Sequence, residues 1–183
     1  MGILLLFLLI VGLVFVLITV HETGHYLAGV MGGIPARDMK LVLFAFPQHV
    51  AVRDGSEWVS PVGDIERYIA VTRRHFVSRW AAFRWVAGGM LLELAFTAVV
   101  WATALLSGYR AVALWTACIS LSMYAINVGL MDLPGALRYR RVVGDTSGLW
   151  QVAPVPAVVF TAMMVASRVL LVVFSAEPAT PPG

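Results

Sequence analysis

Apolar residues fall in long runs along this chain, and charge is confined almost entirely to the segments between them. Gly2–Val20 contains a single polar residue, Thr19, and Val86–Ser107 contains a single carboxylate, Glu93. A third run spans Val112–Met131. A fourth spans Leu149–Phe174, interrupted by Arg168 and bent at Pro154 and Pro156. A helix needs about 20 apolar residues to cross a bilayer. The pattern therefore predicts a mainly α, integral membrane protein. Its four transmembrane helices cover about 2–31, 86–107, 112–131 and 149–174, all within one membrane domain over 1–176.

The segment 32–85 between the first two runs is too long for a simple connector. Its first half reads as a β-rich insertion. Lys40–Phe46 is an apolar, β-prone run stopped by Pro47, while Val50–Arg53 and Glu57–Val59 flank Asp54-Gly55-Ser56, a hairpin signal. Its second half, Ile65–Trp85, mixes arginines with Tyr68, Phe76, Trp80, Phe83 and Trp85 and reads as an interfacial helix. The proline-rich tail 177–183 is expected to be disordered.

Composition agrees with lipid as the main solvent. Hydrophobic residues make up 60% of the 183 positions and charged residues 13%, against roughly 25% charged in a soluble domain. The first run lacks the basic start of a signal peptide and exceeds the usual apolar length, so it reads as a span. Cys118 lies alone within the third run and cannot form an internal disulfide. Arg37, Lys40, Arg53, Arg67, Arg73, Arg74, Arg79 and Arg84 follow the first run, and Arg138, Arg140 and Arg141 follow the third. Only Arg110 lies between the second and third runs. By the positive-inside rule the two basic segments are cytoplasmic and both termini are outside. The expected location is a bacterial cytoplasmic membrane. Lipid headgroups account for the net charge of +3 without any nucleic acid.

The candidate chemistry lies at the end of the first run, in His21-Glu22-Thr23-Gly24-His25. Histidines four residues apart project from one face of a helix and can reach one metal ion, Zn2+ being the expected one. The glutamate beside the first histidine is the usual general base of a zinc peptidase, because the metal lowers the pKa of a neighbouring water. Ionisable groups inside a membrane span are functional by default. Glu93 and Arg168 are costly in hydrocarbon too, and are expected to pair across the bundle. His49 and His75 read as loop and headgroup histidines.

These residues resemble the site-2 protease family of intramembrane zinc metallopeptidases. That family carries HExxH on its first core span, followed by a β-rich, partly membrane-associated segment. Its second core span often opens with Ala-Gly-Pro, and a third region carries Asn-x-x-Pro followed by Asp-Gly. Here His21–His25 matches fully, the Lys40–Val59 hairpin matches in kind, Ala87-Gly88-Gly89 is a degenerate second signature, and Asn127 stands at the family's asparagine. The chain departs from the pattern after Asn127, where neither the proline nor an Asp-Gly dipeptide follows.

A catalytic zinc site takes three protein ligands, and two aspartates compete for the third position. The resemblance implies that the chain unwinds after the asparagine and that the ligand opens the next helix. Asp145, ahead of the fourth run in an N-cap-like setting, fits that role. Asp132 sits at the end of the third span, where negative charge opposes the helix dipole. Asn127 is a candidate oxyanion donor or, equally, an interhelical hydrogen-bonding residue.

Three functions follow as expectations. The first is an intramembrane zinc endopeptidase acting on a membrane-spanning protein, with the hairpin holding an unwound substrate segment by strand addition. The second is a relative that has lost catalysis and keeps a binding or scaffold role, suggested by the missing Asp-Gly. The third is a metal transporter, which should offer ligands on several spans and gives Glu22 no purpose.

Overall fold

The structure, a computed structural model, describes residues Gly2–Ala176. The tail expected to be disordered, 177–183, lies outside the described residues. Four helical stretches are long and apolar enough to cross a membrane: Ile3–Gly32, Arg79–Leu106, Arg110–Tyr139 and Pro154–Ala176.

Helix α1 (Ile3–Gly32) is unbroken and ends where Gly33, at φ 111°, turns the chain and donates its N–H back to the carbonyls of Gly29 and Val30. At 1.5 Å per residue it is about 45 Å long, well over the roughly 30 Å of a hydrocarbon layer. Its N-terminal half leaves Ile3, Leu4, Phe7, Leu8 and Leu9 exposed, which suits a lipid-facing surface. Its C-terminal half carries the sheet and packs along α3 (Arg79–Leu106).

A 3-10 turn at Ala36–Asp38 leads into a three-stranded antiparallel sheet of order β1-β2-β3. Strand β1 (Met39–Val42) is shorter than the expected Lys40–Phe46, while β2 (His49–Asp54) and β3 (Glu57–Val59) lie where the pattern puts them. Asp54 pairs with Glu57 across a two-residue turn in which Gly55 takes φ 64°. Ile34, Met39, Val50 and Val52 form a small core with Val71 and Trp85, pinning the sheet to the end of α1.

The expected interfacial helix over Ile65–Trp85 is two helices. Asp64 caps α2 (Ile65–Arg73) by accepting from the Arg67 N–H, and α2 is clamped to the hairpin by Arg67 and Arg74 on Asp54. The Arg67 hydrogen bond, with Arg74 beside it, holds the Asp54 carboxyl below its usual range despite some desolvation. Ser78 then caps α3, accepting from the Ala81 N–H. The second span therefore starts at Arg79, seven residues before the expected Val86. Arg79 and Arg84 point outward while Ala81 and Trp85 are buried, so the charges sit on one side of a helix that was already under way.

The third span also outruns expectation. After α4 (Arg110–Ala125) the chain widens into a π-helical segment, Ile126–Asp132, and continues as α5 (Leu133–Tyr139). It does not unwind after Asn127. The widening stops just before Pro134, whose missing N–H and ring clash with the preceding turn disfavour a regular α register there. Arg140, at φ 52°, ends the run.

The fourth apolar run is broken in two, giving α6 (Asp145–Val152) and α7 (Pro154–Ala176). Ala153 is extended, at φ −156° and ψ 88°, as the residue before a proline prefers. Leu149–Val152 thus belongs to a separate short helix rather than to the span. A second core of Ala87, Met90, Tyr124, Leu149, Ala157 and Met164 joins α3, α4, α6 and α7.

Glu93 and Arg168 pair deep in this bundle, as the sequence suggests, through Glu93 Oε2 and Arg168 Nη2. Ser120 donates to Glu93 Oε1 at 2.6 Å and accepts from Arg168 Nε at 3.1 Å. The guanidinium lies 4.4 Å from the Tyr124 ring centroid.

Candidate metal centre

The two motif histidines lie one helical turn apart on the face of α1 that meets α3. His25 is buried, and its Nδ1–H donates to the Trp85 carbonyl at 3.0 Å. That bond puts a proton on Nδ1, so the neutral ring carries its lone pair on Nε2, the nitrogen that faces His21 and Asp145. Anchoring one ring nitrogen on a carbonyl is how metal-ligating histidines are usually oriented. His25 Nε2 faces His21 Nε2 at 3.0 Å.

The structure brings Asp145 to this pair across more than a hundred residues of sequence. Asp145 is the first residue of α6, with Gly144 as the N-cap. Its Oδ2 lies 2.8 Å from His21 Nε2 and 3.2 Å from His25 Nε2. Burial opposes ionisation of Asp145, but His25 and His21 outweigh it and hold the carboxyl well below the usual range. Asp132 does not reach the histidines. It is buried against the start of α6, where Oδ2 accepts from the Ser147 N–H at 3.0 Å.

Two imidazole nitrogens and one carboxylate oxygen therefore form a triangle with sides of 2.8, 3.0 and 3.2 Å. Ligands about 2.0–2.1 Å from a tetrahedral zinc ion stand about 3.3 Å apart. The triangle is nearly one face of such a tetrahedron. These donors fit zinc in type, number and spacing. Ligand atoms of His21, Glu22 and His25 also lie within 4.8 Å of one another. The tighter set with Asp145 is the better ligand triangle, and a metal held there would leave the Glu22 carboxylate free for another role.

Glu22, His25 and Asp145 line one wall of a cleft of about 420 Å³. Its other walls come from α2 (Ile65, Tyr68, Ile69), the start of β2 (His49, Val50) and α6 (Gly148, Gln151). Asn127 lines the same cleft from the π segment, exposed and with no hydrogen-bond partner among the described residues. His49 also lines it, but its Nδ1 turns to the Pro47 carbonyl at 3.0 Å.

Several residues named in the sequence for other reasons also shape the site. The Trp85 carbonyl orients His25. Gly24 and Gly88 bring α1 and α3 backbone to backbone, since a Cβ on Gly24 would collide with the Gly88 carbonyl. A Cβ on Gly89 would meet His25 Nε2, and would stand 2.8 Å from His21 Nε2. Gly88 and Gly89 belong to the Ala87-Gly88-Gly89 signature, and adjacent glycines within an apolar run allow such a close helix contact. Tyr68 turns its ring onto Trp85, 5.7 Å between centroids. Burial, reinforced by the charges of Glu22 and Asp145, pushes its phenol well above the ordinary value, so it remains a protonated donor.

No family model, no curated protein and no solved structure matches this chain.

Proposed function

We propose that this protein is an intramembrane zinc endopeptidase of the site-2 protease type. The observation that carries the reading is the triangle of His21, His25 and Asp145 with Glu22 beside it, opening onto a cleft. A zinc ion held by those three residues supplies Lewis acidity at the cleft wall. The Glu22 carboxylate, next to the triangle but outside it, accepts the proton of the attacking water and returns it to the leaving amine. Asn127 is placed to donate to a developing oxyanion.

The substrate is a membrane-spanning protein that presents an extended segment. Strand β3 pairs with β2 only from Val52 to Asp54, so His49–Ala51 have β1 on one side and no strand on the other. That open edge borders the cleft through His49 and Val50. A segment adding there as a strand exposes its peptide bonds to the triangle. The Phe44 and Phe46 side chains at the hairpin tip are almost fully exposed, and Phe44 lies 6.3 Å from Phe15 of α1. This suits a hairpin that dips toward lipid. With the basic segments cytoplasmic, the centre lies about 10–16 Å from the cytoplasmic end of α1, since His25 and His21 precede Gly32 by about two and three turns of helix.

The test is Glu22→Gln in membranes containing candidate single-span substrates, with zinc and cleavage measured on the same preparations. Zinc content should be unchanged while cleavage falls by about two to four orders of magnitude. Full activity in cells for this variant would remove the peptidase reading and leave a binding or scaffold role.

A further inference from the structure

We propose that Asp132 is a positioning residue for the metal centre, holding Asp145 in place through the N-terminus of α6. The inference rests on the reading of His21, His25 and Asp145 as ligands, and it gives the second aspartate of the sequence a role in the same site.

Asp132 is 2% exposed, and a buried carboxylate is costly unless its environment compensates. Its compensation comes from α6. Oδ2 accepts the N–H of Ser147, the third residue of that helix, at 3.0 Å. Oδ1 has no partner among the described residues. The carboxylate therefore depends on that amide and on the positive end of the helix around it. Gly144 closes the other side so tightly that a Cβ there would stand 3.0 Å from Asp132 Cγ.

The amides before the helix are tied as well. Ser147 Oγ accepts from the N–H groups of Val143 and Gly144 at 3.0 and 3.1 Å. Asp145 lies between these two sets of bonds. The orientation of its backbone is fixed by Ser147 on one side and by Asp132 through Ser147 on the other. The buried face of α6, Thr146–Leu149, seats the helix in the bundle, and the bonds to Ser147 set the orientation of its first turn. A shift of about 1 Å at Asp145 is enough to lose contact with both imidazoles, and such losses in a supporting shell are what weaken metal sites.

The same stretch of backbone places two groups. The π segment Ile126–Asp132 presents Asn127 to the cleft and, at its far end, Asp132 to the underside of α6. Widening one turn of the third span thus sets both the cleft wall and the support of the third ligand.

The experiment measures zinc affinity by chelator competition on the purified full-length chain, with melting of the metal-free protein recorded alongside. Asp132→Ala should weaken zinc binding about 10- to 100-fold, the usual effect of removing an outer-shell partner. Asp132→Asn, whose amide oxygen can accept the same Ser147 N–H, should restore affinity close to wild type. Gly144→Ala perturbs the carboxylate from the opposite side and should weaken zinc binding too, which decides the matter if Asp132→Ala does not fold. Wild-type affinity in Asp132→Ala, or in Gly144→Ala where Asp132→Ala is unfolded, overturns the inference. Equal loss in Asp132→Ala and Asp132→Asn also overturns it, because the charge rather than the hydrogen bond would then matter. Failure of the wild-type chain to bind zinc is a separate result that removes the metal-centre reading itself.

Discussion

Gly89→Ala is the smallest change that should disable the metal centre without touching a ligand. The added Cβ would meet His25 Nε2 and stand 2.8 Å from His21 Nε2, well inside ordinary van der Waals contact. Neither ring can give way freely, since His25 is held by the Trp85 carbonyl and α1 is locked to α3 at Gly24 and Gly88. Overpacking of this kind costs about 1–3 kcal/mol. Because the clash falls on the two imidazole nitrogens proposed as ligands, most of that cost should appear in metal affinity. At about 1.4 kcal/mol per tenfold, the expected loss is roughly 5- to 150-fold. Gly12→Ala is the matched control. A Cβ there meets nothing within 4 Å, and replacing a helical glycine by alanine is worth up to about 1 kcal/mol in favour of the helix. Zinc titration against a competing chelator, run on both variants in the same detergent, measures the difference. Wild-type affinity in Gly89→Ala would refute the placement of the ion at the α1–α3 contact.

Two further outcomes are expected. Arg168→Met should destabilise the bundle by about 3–5 kcal/mol, because it strands the buried Glu93, whereas adding Glu93→Gln should recover much of the loss; additive melting shifts in the double variant would disprove the pairing account. Reporter fusions should place the Ser107–Tyr109 turn and the C-terminus outside and the Gly33–Ser78 insertion inside; a cytoplasmic C-terminus would refute the orientation.

The four helices long and apolar enough to cross a membrane were legible because they are written one-dimensionally, as runs of apolar residues. The ends of the spans were less so. Arg79 and Arg84 look like a boundary in the sequence, yet both lie on the outward side of a helix that starts at Ser78. Pro154 reads as a bend within a span, but it is the first residue of a new helix, and the four residues before the break belong to α6. The π segment has no local signature beyond Gly129 and Pro134, so the continuation of the third helix to Tyr139 could not be read. In the candidate site, His21, Glu22 and His25 were legible because helical spacing alone puts them together. The choice between Asp132 and Asp145 depends on which end of α6 faces α1, a tertiary fact. Both aspartates lie at that helix, one on its first residue and one beneath it.

Helix α3 is the element on which the site is assembled. It packs against α1, α4, α6 and α7, gives its Trp85 carbonyl to His25, and clears space for both imidazoles at Gly89. One turn further along, Glu93 ties it to Ser120 of α4 and Arg168 of α7. In a bilayer, apolar burial would not drive these helices together, since lipid tails are as apolar as leucine. Close backbone approach and buried polar contacts would have to do so instead, and α3 supplies both. The ligands on α1 and α6 meet only when each helix is seated against α3. A bound cation would therefore favour the assembled bundle by linkage, as any ligand of the folded state does.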